Sequence, residues 1–360
     1  MSAPAARLPV AVLGATGQVG QRFLSLLAGH PWFEVRAVTA SPGSAGRRYA
    51  EAVRWTQTTP IPEEVRDLVL AATEPAAAGS WALAFSALDS AAAAEAEVRF
   101  ASAGATVVSN ASSHRMDPDV PLVVPEVNPD HLDLARLQRH GGGGSGRGVI
   151  LTNPNCSTIG LVLALAPLDR AFGVERVHAV TLQAVSGAGF PGVPSLLAID
   201  NVVPFIAGEE AKVESEPRKI LGRFTGGAIE PHPLTVSAAC NRVPVVDGHT
   251  LCVSVELTRP PSLDAVREAW RSFRGAPQEL GLPSAPEPPI VVLDGDDAPQ
   301  PRLHRDLGGG MAVSVGRLRP CPLLDLRFVA LAHNTVRGAA GGAILIAELA
   351  VARGLVGSAP

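Results

Sequence analysis

The hexapeptide LPVAVL, Leu8 to Leu13, runs directly into Gly14-Ala-Thr-Gly17-Gln-Val-Gly20 and then into QRFLSLLAGH. A short apolar run reads as a buried strand, and the stretch after the glycines reads as a helix. Glycines spaced three apart at such a junction allow a tight turn and a close approach to the amides at the helix start. A strand–turn–helix unit of this kind buries its apolar faces only within a sheet flanked by helices. The opening of the chain therefore restricts this half to α/β layering.

The next 140 or so residues agree with that restriction. Glu34–Thr39 reads as a second strand, and apolar stretches at Trp81–Ala87, Ala105–Ser109 and Val149–Leu151 continue the pattern. The expected result is a doubly wound parallel sheet. From Cys156 onward, strand-like alternation at Val177–Val185, Leu251–Leu257, Met311–Val315 and Leu324–Leu331 predicts a second α+β domain with a largely antiparallel sheet. Gly141–Gly148 (GGGGSGRG) is expected to be a flexible surface loop and Pro283–Pro289 a proline-rich one. Gly341–Ala352 reads as an apolar helix that packs back on the first domain. The expected division is 1–155, 156–333 and a returning segment 334–360.

Composition enters as a filter. Charged residues make up 18% of the 360, and the net charge of −4 comes with no Lys/Arg block, which argues against a nucleic-acid surface. The four cysteines form no CxxC pair and no metal-ligand spacing with histidine, so neither a metal site nor a disulfide framework is expected, and a reducing cytosol is the natural setting. No run approaches the roughly 20 apolar residues that span a bilayer, and the opening MSAPAARLPV lacks the apolar core of a signal peptide. The expectation is a soluble, cytoplasmic protein acting on a small molecule.

The glycine turn gives the first candidate site. Its place after the first strand raises dinucleotide binding above the steric alternative, with Gly14, Thr16, Gly17, Gln18 and Val19 as the residues nearest a pyrophosphate. Spacing alone is weak support, because G-x-x-G-x-x-G departs from the commoner G-x-G-x-x-G. Glu34 stands at the start of the second strand, the wrong end for a ribose 2′-hydroxyl. The strand's other end carries Ser41, Ser44 and Arg47, whose hydroxyls and guanidinium suit a 2′-phosphate. A polar surface turn is the plain alternative; with the glycine turn upstream, NADP is favoured over NAD.

The second candidate is TNPNCST, Thr152 to Thr158. It places Cys156 between a strand and a helix read at Ser157–Ala166, where a helix N-terminus lowers a thiol pKa and Asn155 with nearby amides can meet an oxyanion. A small buried residue in a turn is the competing account. Four other places supply partners. Arg242 and His249 flank a turn, His249 following Asp247-Gly248 and so expected to project from a loop. Gln183 closes a strand before Ser186-Gly187, a loop able to pass beside a ligand. Glu209 and Lys212 share a helical face at i, i+3. Arg115 follows a first-domain strand. Taken singly, each has an ordinary surface or structural explanation.

Taken together, the motifs GATGQVGQRF, NASSHRMDPDVPLVVPEVNPDHL, TNPNCSTIGLVLAL, QAVSGAGFPGVPS, DNVVPFIAGEEAKVESEPRKILG, SAACNRVPVVDGHT, GMAVSVGR and HNTVRGAAGGAIL resemble the aspartate-semialdehyde dehydrogenases, in particular their archaeal and fungal branch. They run in family order from near residue 8 to near residue 350. The resemblance implies a Rossmann-like NADP-binding domain and a second catalytic and dimerisation domain. It also implies reduction of L-aspartyl 4-phosphate by NADPH to aspartate semialdehyde and phosphate, the branch point toward lysine through diaminopimelate, threonine, methionine and isoleucine. By the same resemblance Cys156 is the nucleophile, His249 the acid/base and Gln183 the residue orienting the reacting centre. Arg242 would clamp the substrate carboxylate and Glu209 the amino group; Arg115, Lys212 and Asn155 would bind phosphate, and Asn334 would lie near the nicotinamide. A homodimer or homotetramer is implied.

Two relatives in chemistry compete. A malonyl-CoA reductase also forms a cysteine thioester but needs neither a phosphate site nor an amino-group acid, so Arg115, Glu209 and Lys212 weigh against it. N-acetyl-glutamyl-phosphate reductases match the surrounding motifs less well. A non-catalytic NADP-binding sensor would not need Cys156, Gln183, Arg242 and His249 together.

Overall fold

The computed structural model describes residue 4 and residues 6–79, 81–138 and 148–356. Six strands form the first sheet: β1 (Leu8–Leu13), β2 (Phe33–Ala40), β3 (Ala71–Ala72), β4 (Leu83–Ser86), β5 (Thr106–Ser109) and β6 (Val149–Thr152). Their order is β3-β2-β1-β4-β5-β6, and every pairing is parallel. The order reverses between β1 and its two neighbours, so a crevice opens at the carboxyl ends of β1 and β4, the usual ligand position in such sheets. Wholly buried strands such as Val149–Thr152 explain the continuous apolar runs in the sequence.

The second sheet is built from β7 (Val174–Gln183), β10 (Thr235–Arg242), β11 (His249–Leu257), β12 (Ile290–Leu293), β13 (Val313–Pro320) and β14 (Leu326–Ala332), with β8 (Arg223–Phe224) and β9 (Ile229–Glu230) forming a separate small hairpin. Its order is β10-β7-β11-β14-β13-β12. The central pairings are antiparallel, as expected, while both edge strands add in parallel. The sheet is thus mixed at its margins.

Helix Cys156–Phe172 carries the chain from β6 into this second half. It is buried along most of its length and runs under the second sheet, with Leu161, Val162 and Leu165 among the core residues there. A helix apolar all round must be interior. Helix Gly341–Ala352 occupies the span read from sequence, and its Ile344, Leu345, Ile346 and Leu349 share one apolar cluster with Val10 and Val12 of β1 and Phe23 of the helix that follows it.

One expectation needs correction. Residues 141–147 of the glycine-rich stretch lie outside the described residues, but Gly148 is buried rather than part of a surface loop. A Cβ there would come within 2.1 Å of the Ala101 carbonyl oxygen, so glycine lets the chain enter β6 against the neighbouring helix. The Pro283–Pro289 stretch is irregular, as read, and Ser284 near its start donates from backbone and side chain to Glu348 of the last helix.

Candidate active site

A cleft of about 320 Å³ lies where the two sheets meet. Its walls include Gln18 and Val19 from the first helix, Arg115 after β5, Asn155 and Cys156 at the start of helix Cys156–Phe172, and Glu209 and Lys212. Ser186, Gly187 and Asn334 line it as well. A cavity of equal volume lined by Pro75, Trp81 and Phe100 presents no titratable side chain.

Cys156 is the first residue of its helix, and Asn155 is the N-cap. The Asn155 Oδ1 accepts from the amides of Ser157 and Thr158, satisfying two of the free donors at the helix start. Its Nδ2 donates to Glu209 Oε2 at 2.8 Å. Behind the thiol, Gly338 approaches so closely that a Cβ would stand 2.7 Å from the Cys156 Cβ.

Glu209 gathers the side chains on one wall of the cleft. It opens helix Glu209–Ile220, where an acidic residue is favoured by the helix dipole. Lys212 Nζ lies 2.8 Å from its Oε1, and Gln183 Nε2 lies 3.3 Å from its Oε2. Burial alone would raise this carboxyl, but the hydrogen bond and charge of Lys212, with Asn155 and Gln183, hold it below the usual range. Glu209 is therefore an anion in a cleft.

The backbone of one residue, Ala184, organises the rest. The Ala184 amide donates to His249 Nδ1 at 3.0 Å, and its carbonyl accepts from Arg242 Nη1 at 2.7 Å. Gln183 pairs in register with Arg242 across β7 and β10, which brings both to one end of the sheet. The short turn Val185–Ala188 then passes over them: a Cβ on Gly187 would fall 2.8 Å from Arg242 Nη1 and 3.2 Å from His249 Nε2. Asn334 secures this turn, donating to Ser186 Oγ and accepting from the Gly248 amide, both at 2.8 Å.

The structure revises two readings. His249 does not project from a loop; it begins β11 and is fully buried, because the Asp247-Gly248 turn folds inward against β14. Burial first, then Arg242 and His333, depress its pKa to about 3, so the ring is neutral. Since Nδ1 accepts a hydrogen bond, the proton sits on Nε2, which has no partner among the described residues and is free to donate. Nor does the thiol lie below its ordinary value. Burial, with Glu209 adding to the effect, pushes Cys156 up to about 12, against the opposing charges of Arg115, Arg242 and Lys212. The residue still keeps partial solvent access through the cleft.

At the other end of the cleft, Gly14 has φ of 72° and its amide meets Thr39 Oγ1 at 3.3 Å. The first helix, Gln18–Leu27, has Gly17 at its N-cap position, no side-chain cap and no acid in its first turn. Thr16 presents its carbonyl to Gln21 rather than to the cleft. Ser41 and Ser44 form a turn just past β2, and Arg47 is exposed, donating to the Glu51 carbonyl. These last three lie outside the walls of the central cleft. Glu34 stands near the amino end of β2, where it pairs with Arg7 and Arg36.

Sequence reasoning missed several buried charges. Glu216 joins Arg115 to the Asn155 amide. Lys219 donates to the carbonyls of Arg115, Asp117 and Val120. Arg337 and Glu126 form a wholly buried bidentate pair one residue before Gly338. The helical step from Glu209 to Glu216, two turns along one face, was the available signal for the first of these.

The comparisons with known proteins agree with this geometry. The family described as "Semialdehyde dehydrogenase, NAD binding domain" matches residues 9–135, and "Semialdehyde dehydrogenase, dimerisation domain" matches residues 165–337. An aspartate-semialdehyde dehydrogenase of Methanothermobacter thermautotrophicus is 53% identical over 342 residues, covering 94% of this chain and 98% of the relative. One from Cryptococcus neoformans is 50% identical over 363 residues, covering 98% and 99%. Among solved structures, aspartate semialdehyde dehydrogenase with NADP from Candida albicans superposes with a TM-score of 0.89 at 45% identity, covering 97% of this chain and all of that one. The chain belongs to the aspartate-semialdehyde dehydrogenase family.

Proposed function

We propose that this chain reduces L-aspartyl 4-phosphate to L-aspartate 4-semialdehyde and phosphate through a thioester on Cys156, with NADPH as reductant. The observation that carries this reading is the convergence of Cys156, Glu209, Lys212 and Arg115 on one cleft that continues to Gln18 and Val19 at the first helix. The residues present fit a dinucleotide: a positive-φ glycine, a helix start with neither a side-chain cap nor a nearby acid, and hydroxyls and a guanidinium at the end of β2. Gly14, Thr16, Gly17, Gln18 and Val19 would hold the pyrophosphate side, Ser41, Ser44 and Arg47 a 2′-phosphate, and Ser186, Gly187 and Asn334 the nicotinamide end. When bound, NADPH supplies the hydride that reduces the thioester carbon.

The chain's own residues do the rest. Glu209, held as an anion, suits the substrate ammonium. Placing that cation on Glu209 removes one of the two influences that raise the Cys156 thiol, so the substrate itself favours the thiolate. Thiolate attack on the acyl carbon forms the C–S bond, and the C–O bond to phosphate breaks as the oxyanion collapses. Arg115, Lys212 and Asn155 receive the departing phosphate. Arg242 suits the α-carboxylate, and Gln183 orients the reacting carbon. His249, neutral with its hydrogen on Nε2, can donate a hydrogen bond to the oxyanion as it develops.

The same reading divides the chain into a cofactor domain (1–155), a catalytic domain (156–333) and a returning segment (334–360), supported by the apolar cluster that helix Gly341–Ala352 shares with the first sheet. A homodimer or homotetramer is supported by the exposed Leu196, Leu197, Ile199, Val202 and Phe205, an apolar surface that water disfavours. No helix among the described residues is long and apolar enough to cross a membrane, in keeping with a cytoplasmic enzyme.

The deciding assay follows NADPH formation from L-aspartate semialdehyde, NADP and phosphate, beside malonate semialdehyde with coenzyme A. Phosphate-dependent reduction of NADP in the first mixture is expected. Activity in the second alone would make the chain a malonyl-CoA reductase, and silence in both would leave an NADP-binding sensor.

A further inference from the structure

Helix Glu209–Ile220 presents Glu209, Lys212, Glu216 and Lys219 at steps of three, four and three, which places them along one face. The first two belong to the proposed substrate site. Glu216 lies deeper, 2% exposed, and each of its oxygens has a separate task. Oε1 accepts from Arg115 Nη1 at 2.8 Å, and Oε2 accepts from the backbone amide of Asn155, also at 2.8 Å. Arg115 Nη2 is fixed on the Asn110 carbonyl at 2.8 Å, and its buried Nε has no partner among the described residues. The guanidinium plane is thus set from two sides while the Nε–H has no partner among the described residues. Three residues further on, Lys219 ties down the carbonyls of Arg115, Asp117 and Val120 at 2.7–2.8 Å.

We infer that Glu216 is a positioning residue: one carboxylate holds the Arg115 guanidinium and the turn immediately before Cys156, and so sets the phosphoryl group against the thiol. The inference rests on the reading that Arg115 meets the acyl phosphate. Two accounts of Glu216 differ in sign. A mere counter-charge would weaken anion binding, so neutralising it would strengthen phosphate binding. A positioning carboxylate would make phosphate binding weaker when lost. Both of its partners are donors, so Glu216→Gln turns an amide NH2 toward one of them and breaks one bond of the pair. Glu216→Asp keeps the charge and withdraws it by one methylene.

The test compares the full-length wild type with Glu216→Gln and Glu216→Asp. Steady-state constants are measured with L-aspartate semialdehyde, NADP and inorganic phosphate. Separately, Cys156 alkylation by anionic iodoacetate is compared with that by neutral iodoacetamide, which needs no turnover. Positioning predicts a phosphate KM raised about tenfold or more, an NADP KM unchanged within about twofold, and an iodoacetate-to-iodoacetamide ratio lowered about threefold or more. An unchanged or lower phosphate KM overturns the inference, as does a uniform loss in every constant that follows the fraction of folded protein. Should the Gln variant not fold, the Asp variant decides by the same criteria. If the wild type shows no phosphate-dependent activity, the functional reading fails, and the alkylation ratio still judges Glu216: lowered supports it, unchanged or raised overturns it.

Discussion

At the carboxyl end of β1 the cleft is prepared with backbone: Gly14 at a φ of 72° and a helix whose first amides have no side-chain cap, with the Ser41–Ser44 turn lying beyond its walls. At the other end it is prepared with buried side chains: Glu209 bonded to Lys212, Asn155 and Gln183, and His249 and Arg242 both tied to the backbone of Ala184. The cofactor end relies on partial charges that need no compensation. The catalytic end holds full charges away from water, so each must be matched, and the cost of mismatching is larger. Substitutions at the two ends should therefore differ in kind as well as in size.

The largest effect is expected from Cys156→Ala, which removes the sulfur proposed to carry the acyl group. Turnover should fall by at least about 10⁴-fold while NADP affinity, followed by fluorescence, stays within about twofold. Residual activity near the wild-type rate would dispose of the thioester route. Next comes the thiol itself. With its pKa pushed to about 12 in the ligand-free protein, the thiolate fraction at neutral pH is small and grows with pH. Alkylation by iodoacetamide should rise about tenfold per pH unit, roughly 10³-fold between about pH 7 and 10. A plateau near neutrality would show that the helix start outweighs burial after all.

That second prediction marks where the sequence stopped being legible. The strand–turn–helix at Leu8–Leu27 and the helix Gly341–Ala352 were readable because their determinants are contiguous. The helix at Cys156 was readable for the same reason, though the capping role of Asn155 emerged only from the fold. The state of the thiol was not, since it depends on burial and on Glu209, 53 positions away. His249 was misplaced likewise: Asp247-Gly248 marks a turn correctly, but only the pairing of β11 with β14 sends the ring inward. Glu216 contacts residues 61 and 101 positions away, beyond any local pattern. Family motifs named the candidate residues; only the fold assigned their partners and protonation.

Gly20 and Gly17 test the backbone end. A Cβ on Gly20 would meet Gly14 O at 2.3 Å and Ala15 Cα at 2.7 Å, backbone atoms that cannot swing aside, whereas one on Gly17 has its nearest neighbour, Gly14 O, at 3.5 Å. Gly20→Ala should destabilise the fold by about 3 kcal/mol and weaken NADP binding about 10²-fold. Gly17→Ala should leave thermal stability unchanged and weaken NADP alone. Equal behaviour of the two would mean that both glycines serve packing. At the side-chain end, Arg242→Lys should raise the KM for aspartate semialdehyde about tenfold without moving that for NADP, because an ammonium cannot reproduce a fork that already commits Nη1 to the Ala184 carbonyl.

The smallest effect is expected where the cofactor end meets solvent. Arg47 is exposed and bonded only to the nearby Glu51 carbonyl among the described contacts, so its charge is screened and its side chain must be ordered to meet a 2′-phosphate. Exposed ion pairs contribute up to about 1 kcal/mol, which corresponds to a roughly two- to fivefold rise in the NADP KM for Arg47→Ala. The KM for NAD, which lacks that phosphate, should not change, and the NADP effect should shrink as salt is added. An equal rise for both cofactors would move Arg47 from phosphate recognition to support of the turn after β2. A loss approaching that of the Gly20 variant would place a strong ionic contact at the end of the cleft where only weak, screened ones are found, and the contrast between the two ends would no longer hold.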